Sequence, residues 1–340
     1  MIARLIGTGA IVLVTTALAT TSLAAAEDFY KDKTITIIVS TGAGGSYYNI
    51  AQAFSRHMPQ YIPGRPNIIV KAMPGAGNVR ATNFLYNQAP KDGTTIGTIN
   101  NSIPLHQALG GKGVRYDATK FHWFGSTGTY NSVAYVWHDK GIKSFEDLKK
   151  KETVLGGTGA GSSIVIYPRV MNTFLGTKFR IVLGYKSTGQ IDIAMQAGEL
   201  AARTGSYTGL VSDHPDWLAE KKVVIVAQIG SKRDPRLKDI PLITELTANP
   251  EHRKILELIS SPIAVGRPYI APPGVPKDRI AILQKAYDAT LRDKAFLAEM
   301  KKLRTEIDPV PGDEVAKVVN ETMAAPKDIV EKAKAAMEGR

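Results

Sequence analysis

Two segments of the chain carry residue types that could do chemistry, and both are glycine-rich bends. Thr41-Gly42-Ala43-Gly44-Gly45-Ser46 follows the apolar run Ile35-Thr36-Ile37-Ile38-Val39, and Gly156-Gly157-Thr158-Gly159-Ala160-Gly161-Ser162-Ser163 follows Val154-Leu155. Glycine lets backbone N–H groups approach a ligand closely, because no Cβ intervenes. Where a helix starts at the end of such a bend, its first amides point the same way. Bend and helix start together make an anion site that needs no arginine. Each helix end contributes about 0.3–1 kcal/mol, and up to ~2 kcal/mol when partly buried. Two such bends facing each other across a cleft would hold a dicarboxylate by both ends, with Ser46, Ser162 and Ser163 as extra hydroxyl donors. One glycine-rich bend reads equally well as a plain turn. Two of them, each leaving a strand and opening a helix, favour binding.

Patterns for catalysis are mostly missing. There is no G-x-S-x-G elbow, no G-x-x-x-x-G-K-[ST] loop and no H-E-x-x-H. Gly157-Thr158-Gly159-Ala160-Gly161 approaches a dinucleotide fingerprint but lacks the G-x-G-x-x-G spacing. The six histidines (His57, His106, His122, His138, His214, His252) are dispersed, and none pairs with another at helical spacing, so surface or core roles are expected for them. With no cysteine, a disulfide framework, a thiolate metal site and a cysteine nucleophile are all excluded. Asn320-Glu321-Thr322 matches a glycosylation acceptor inside a predicted helix and reads as chance. No cofactor and no metal are expected.

The elements that must position the two bends follow from hydrophobic spacing. Ile35 to Val39, Ile68 to Val70, Thr95 to Ile99, Val133 to Trp137, Phe179 to Leu183 and Val223 to Ile229 read as strands. Between them lie helical patterns: one with Ile50, Ala53, Phe54 and Met58 on a single face, one from Val79 to Asn87, and one from Ile191 to Ala197. Ser144-Phe145-Glu146-Asp147 has the spacing of a capping box. Beyond Pro276 the chain reads as four helices, Asp278 to Arg292, Ala295 to Leu303, Asp313 to Met323 and Pro326 to Ala336. Strand and helix alternate at short spacing, so mainly parallel sheets are expected. In such folds ligands bind at the carboxyl ends of strands.

The first residues predict the compartment. Arg4 precedes an apolar stretch centred on Ile11 to Val14, and Ala24 and Ala26 lie before Glu27 at the two positions a signal peptidase reads. A signal peptide over 1–26, cleavage after Ala26 and export to the periplasm are expected. The formal net charge is +12. Lys and Arg are interleaved with Asp and Glu, and an exported chain is kept away from nucleic acid, so a solvated basic surface that draws in anionic ligands is the reading. At 44% hydrophobic and 22% charged residues over 340 positions, the chain suits two globular domains.

Several stretches, taken in order, resemble one family. They are Ile37-Ile38-Val39 with Gly42-Ala43-Gly44-Gly45, Met73-Pro74-Gly75-Ala76-Gly77-Asn78, Ala89-Pro90-Lys91-Asp92-Gly93-Thr94-Thr95-Ile96-Gly97 and Gly159-Ala160-Gly161-Ser162-Ser163. Later come Gly184-Tyr185-Lys186, Gly198-Glu199-Leu200 and Gly266-Arg267-Pro268-Tyr269 with Ala271-Pro272-Pro273-Gly274-Val275-Pro276. Their order and spacing resemble the solute receptors of tripartite tricarboxylate transporters, the Bug-type periplasmic proteins. The resemblance implies an α/β, periplasmic binding protein-like (type II) Venus flytrap, two α/β domains joined by two crossover strands. Domain 1 would comprise 27–128 and 230–340, and domain 2 would comprise 129–229, with crossings near Gly125 to Val133 and Ala227 to Ser231. It implies a monomeric receptor without turnover that captures a small organic carboxylate in the cleft and presents it to membrane permease subunits.

By the family's pattern the ligand-binding residues would be Ala43, Gly44, Gly45 and Ser46, then Gly161, Ser162 and Ser163, then Ser187, Thr188 and Gly189, with Ser102 after the third strand. Two positions depart from it. Tyr48, preceded by Tyr47, stands where many relatives have aspartate, and Gly205, near Arg203, stands where many have an acidic residue. Fewer acidic groups and a nearby Arg203 favour an anion, and the two rings admit an aromatic or longer one. Arg203 reads equally as a surface arginine. A sensor that signals to a membrane kinase would use the same architecture, and an exported hydrolase the same cleft.

Overall fold

The computed structural model describes residues 29–338, so the expected signal segment lies outside the described residues. Two mixed sheets, each covered by helices, form two lobes. The first has strand order β11-β4-β10-β3-β1-β2 and the second β7-β6-β8-β5-β9. In the first, β1 (Thr34–Val39) pairs in parallel with β2 (Asn67–Ala72) and β3 (Thr95–Thr98), with Ile37 opposite Val70 and Ile96. This central place explains the unbroken β-branched run: both faces of β1 are covered. The sheet is completed by β4 (His122–Ser126), β10 (Pro268–Ala271) and β11 (Val310–Pro311).

In the second sheet, β6 (Thr153–Gly157) pairs in parallel with β7 (Phe179–Leu183) and β8 (Ala202–Ser206). Its β5 (Ser132–Trp137) lies between β8 and β9 (Val223–Ile229) and runs against both. In the first sheet β10 likewise runs against β3 and β4. The expectation of mainly parallel sheets therefore holds only for part of each. Two of the reversed strands are entered from the other lobe: β5 follows the crossing after β4, and β10 follows the return after the helix Pro262–Val265, while the short β11 also runs against β4. A chain that arrives on the cleft side runs opposite to strands that end there.

The return also corrects the assignment of 230–340 to one lobe. The helices Pro250–Ser260 and Lys327–Glu338 pack on the second lobe. Ile255, Leu256, Ile259, Ile329 and Ala333 share a buried cluster with Leu155, Ile166, Val170 and Met171. An apolar stripe at helical spacing specifies burial but not the surface that supplies it. The first lobe's core centres on Phe54, which stacks on Tyr287 at 5.4 Å and meets Phe296 edge-on at 5.0 Å. Among the described residues no helix is long and apolar enough to cross a membrane.

Candidate functional site

A cavity of about 480 Å³ lies between the lobes, within the usual range for small-molecule sites. Its walls come from the ends of strands. Ser40, Thr41 and Gly42 follow β1, Pro74 to Asn78 follow β2, and Asn100 follows β3. Opposite them, Thr158 follows β6, Gly184 to Thr188 follow β7, and Gly205 and Ser206 end β8. Tyr130, between β4 and β5, closes the inner end with Ser132.

The sequence-predicted residues divide into two groups. Gly45, Ser46, Tyr47, Ser162, Ser163, Ser187, Thr188 and Gly205 line this cavity. Ala43, Gly44, Ser102, Gly161, Gly189 and Arg203 do not. Gly44 and Gly189 border a separate hollow on the outer flank, where a Cβ placed on Gly189 would lie 3.0 Å from the Gly44 carbonyl oxygen. Ser102 is fully buried and donates to the Gly161 carbonyl at 2.8 Å, a bond between lobes. Arg203 is 3% exposed and its Nε sits 2.7 Å from Asp192, so its charge is spent inside the second lobe. His214 takes the other carboxylate oxygen of Asp192 at 2.8 Å. Tyr48 is outside the lining and accepts a bond from Gln52 at 2.9 Å.

Two helices begin at the cavity wall. Ser46–His57 starts after Gly45 and Ser163–Leu175 after Ser162. Neither has an acidic residue in its first turn, and neither start receives a side-chain cap. Their first amides therefore keep free donor capacity toward the cavity. By contrast Ser187 caps its own helix, accepting from Gln190 N–H at 3.3 Å. Tyr47 is pinned rather than free: its hydroxyl lies 3.3 Å from that of Tyr130, donates to the Gly266 carbonyl at 3.2 Å and accepts from Asn101 N–H at 3.3 Å. Burial drives its pKa far above the ordinary phenol value, so it stays neutral.

Charge is one-sided here. The cavity wall holds two cations, Arg80 and Lys186, both exposed at its mouth, and no Asp or Glu. Thr41, on the cavity wall, has a buried Oγ1 without a hydrogen-bond partner. The lobes touch on both flanks. Gly42 N–H donates to the Lys186 carbonyl at 3.0 Å. On the other side a Cβ on Gly77 would lie 2.5 Å from the Gly161 nitrogen, so only glycine allows that approach.

Sequence reasoning missed the bend Pro74 to Asn78 as part of the wall, although its two glycines gave a signal, and it missed Arg80 and Lys186. It also passed over Arg267, a buried arginine whose surroundings only the three-dimensional structure defines.

Comparison with known proteins agrees with this geometry. The family model described as "Tripartite tricarboxylate transporter family receptor" matches residues 52–335. The solved structure of the periplasmic binding protein BugD is 21% identical with a TM-score of 0.72, over 90% of this chain and 98% of that one. MatC from Rhodopseudomonas palustris, solved with bound malate, is 19% identical with a TM-score of 0.69, over 88% and 99%. Rpa4515 from R. palustris, solved with adipate, is 17% identical with a TM-score of 0.68, over 88% and 97%. No curated protein matches the chain. With most of its length matched by the family model and its whole architecture shared with these receptors, the chain belongs to the tripartite tricarboxylate transporter receptor family.

Proposed function

We propose that this protein is an exported receptor that captures a small organic carboxylate between its lobes and delivers it to the permease subunits of a tripartite tricarboxylate-type transporter. The observation that carries the reading is the charge of the cavity wall: two cations, no carboxylate, and a series of Ser and Thr hydroxyls. Two uncapped helix starts add oriented amides. MatC and Rpa4515, which share the fold, were solved with malate and adipate. Those acids set the expected ligand size. Domain closure would strip water from the carboxylate and strengthen its bonds to Gly45, Ser46, Ser162 and Ser163. No step of turnover is part of this reading. Lys186 and Arg80 at the mouth would raise the capture rate at low ionic strength.

The test is Gly45→Asp. Gly45 has φ −134°, which any residue adopts, and an added Cβ would come 3.2 Å from Thr188 Oγ1, the end of a rotatable side chain on the other lobe, so the fold of each lobe should survive. The new carboxylate would occupy the ligand's own position. Calorimetric titration with malate and adipate should show binding to the natural protein and none to the variant, with the same melting curve for both. Equal affinities in the two proteins would remove this bend from the site.

A further inference from the structure

Arg203 and Arg267 are each 3% exposed, yet they differ in one respect. Arg203 has Asp192 at 2.7 Å. Among the described residues no carboxylate lies within salt-bridge distance of Arg267. A guanidinium stays ionised when buried. Left without a counter-charge in a low-dielectric setting it is costly. The protein supplies Arg267 with two hydroxyls and a ring only. Nη2 donates to Ser206 Oγ at 2.9 Å and to Thr208 Oγ1 at 3.0 Å, and the guanidinium stacks 4.2 Å from the Tyr130 ring centroid. Its Nε, fully buried, has no partner.

This arrangement has a direction. Ser206 and Tyr130 both line the cavity, whereas Arg267 lies behind them. Ser206 Oγ already accepts from Arg267 and from Gly209 N–H at 2.9 Å. With both lone pairs engaged, the Ser206 hydroxyl can act only as a donor, and its 2.9 Å contact to Thr208 Oγ1 takes that hydrogen until an anionic oxygen in the cavity competes for it. Its neighbour Thr208 Oγ1, 2.9 Å away, also accepts from Arg267. The positive charge is thereby presented at the cavity wall through a polarised O–H donor, which binds an anionic oxygen more strongly than a neutral amide carbonyl. Arg267 also joins the lobes, since β10 begins at Pro268 in the first sheet and Ser206 ends β8 in the second.

We propose that Arg267 is the anion-selecting residue of the cleft, a positioning group that acts through Ser206, and that the ligand end seated beside Tyr130 is a carboxylate. The inference rests on the carboxylate-receptor reading above. It adds that selectivity for charge comes from the inner end of the cleft and not from Arg80 and Lys186 at its mouth.

Calorimetry with adipate, its monoamide and its diamide, alongside malate, tests it on the full mature chain. Arg267→Met should weaken adipate by about 10- to 100-fold and abolish the preference over the diamide. The unliganded variant should melt at or above the natural protein's temperature, because an uncompensated charge has gone. Arg267→Lys should retain the acid-over-amide preference. Ser206→Ala should weaken adipate with Arg267 still present, and it carries the test if Arg267→Met does not fold. Arg267→Met with natural adipate affinity, or Ser206→Ala with unchanged affinity, overturns the assignment and leaves the receptor reading intact. A lower melting temperature with acid-over-amide preference preserved would make Arg267 a structural strut, which also overturns it. A natural protein that binds none of these probes overturns the receptor reading and the assignment with it.

Discussion

Asp192 holds Arg203 by one carboxylate oxygen and His214 by the other, and Asp192 and Arg203 are each 3% exposed. Removing one partner from such a pair leaves the other charge buried alone, at a cost of about 3–5 kcal/mol. Asp192→Asn should lower unfolding stability by that amount in urea denaturation, while ligand affinity stays within about twofold. A large loss of affinity at full stability would return Arg203 to the binding site. The sequence reading weighed Arg203 as an anion partner because it adjoins Gly205, where relatives carry an acid. Gly205 lies at the cavity wall, and Arg203, two residues earlier on the same face of β8, turns away to Asp192 of a neighbouring helix, a partner that no local pattern marks. Glycines were more legible, because a backbone approach leaves a residue type as its trace. Gly77 is the clearest case, with φ +62° and the Gly161 backbone against its Cα.

At the scale of the elements, that contact makes the bend after β2 a closing surface. Gly77→Ala would meet two obstacles: a left-handed backbone, costing about 1–2 kcal/mol in any state, and a clash with Gly161 that exists only when the lobes meet. Affinity should fall by about tenfold or more, and the liganded protein should keep a larger radius of gyration in small-angle scattering. Full compaction with natural affinity would contradict this. The helix Lys327–Glu338 is the second elemental surprise. Ile329 and Ala333 enter the second lobe's core, and Lys332 pairs with Glu251 on the neighbouring helix. Ile329→Asp should therefore speed amide exchange across Ser163–Leu175, with little change in β1 to β3 by mass spectrometry. Strands rich in β-branched and aliphatic residues, such as β1, the edge strand β7 and β9, were readable within a residue or two. β4, β8 and β10 were not. β8 reads Ala-Arg-Thr-Gly-Ser and β10 is four residues opening on proline, so neither shows a period, and only pairing partners define them.

The whole molecule binds its charge and its closure to one place. The net charge of +12 is distributed over the surface, and the cavity wall where the lobes meet lacks carboxylates. Acid response belongs to this scale. Burial pushes the imidazoles of His106 and His122 below their ordinary 6.5. On acidification the unfolded chain takes up those protons first, so their contribution is complete above about pH 6.5 and is lost as pH falls through the lower folded values. Paired carboxylates such as Asp293 and Glu299, held below their ordinary range by Tyr61 and Arg56 respectively, add losses of the same sign at lower pH. Thermal melts at pH 7.5, 6 and 5 should show falling stability, and a rise would contradict the burial of these rings. The central claim, capture of a carboxylate by this cleft, meets its most direct test in a thermal-shift series on the mature chain. Mono-, di- and tricarboxylates, aromatic acids and amino acids should be run beside their amides. At a hundred times its Kd a true ligand adds about 2.7 kcal/mol of stability. The account predicts such a shift for at least one carboxylate and none for its amide; a flat response to every acid, or equal shifts for acid and amide, would contradict it.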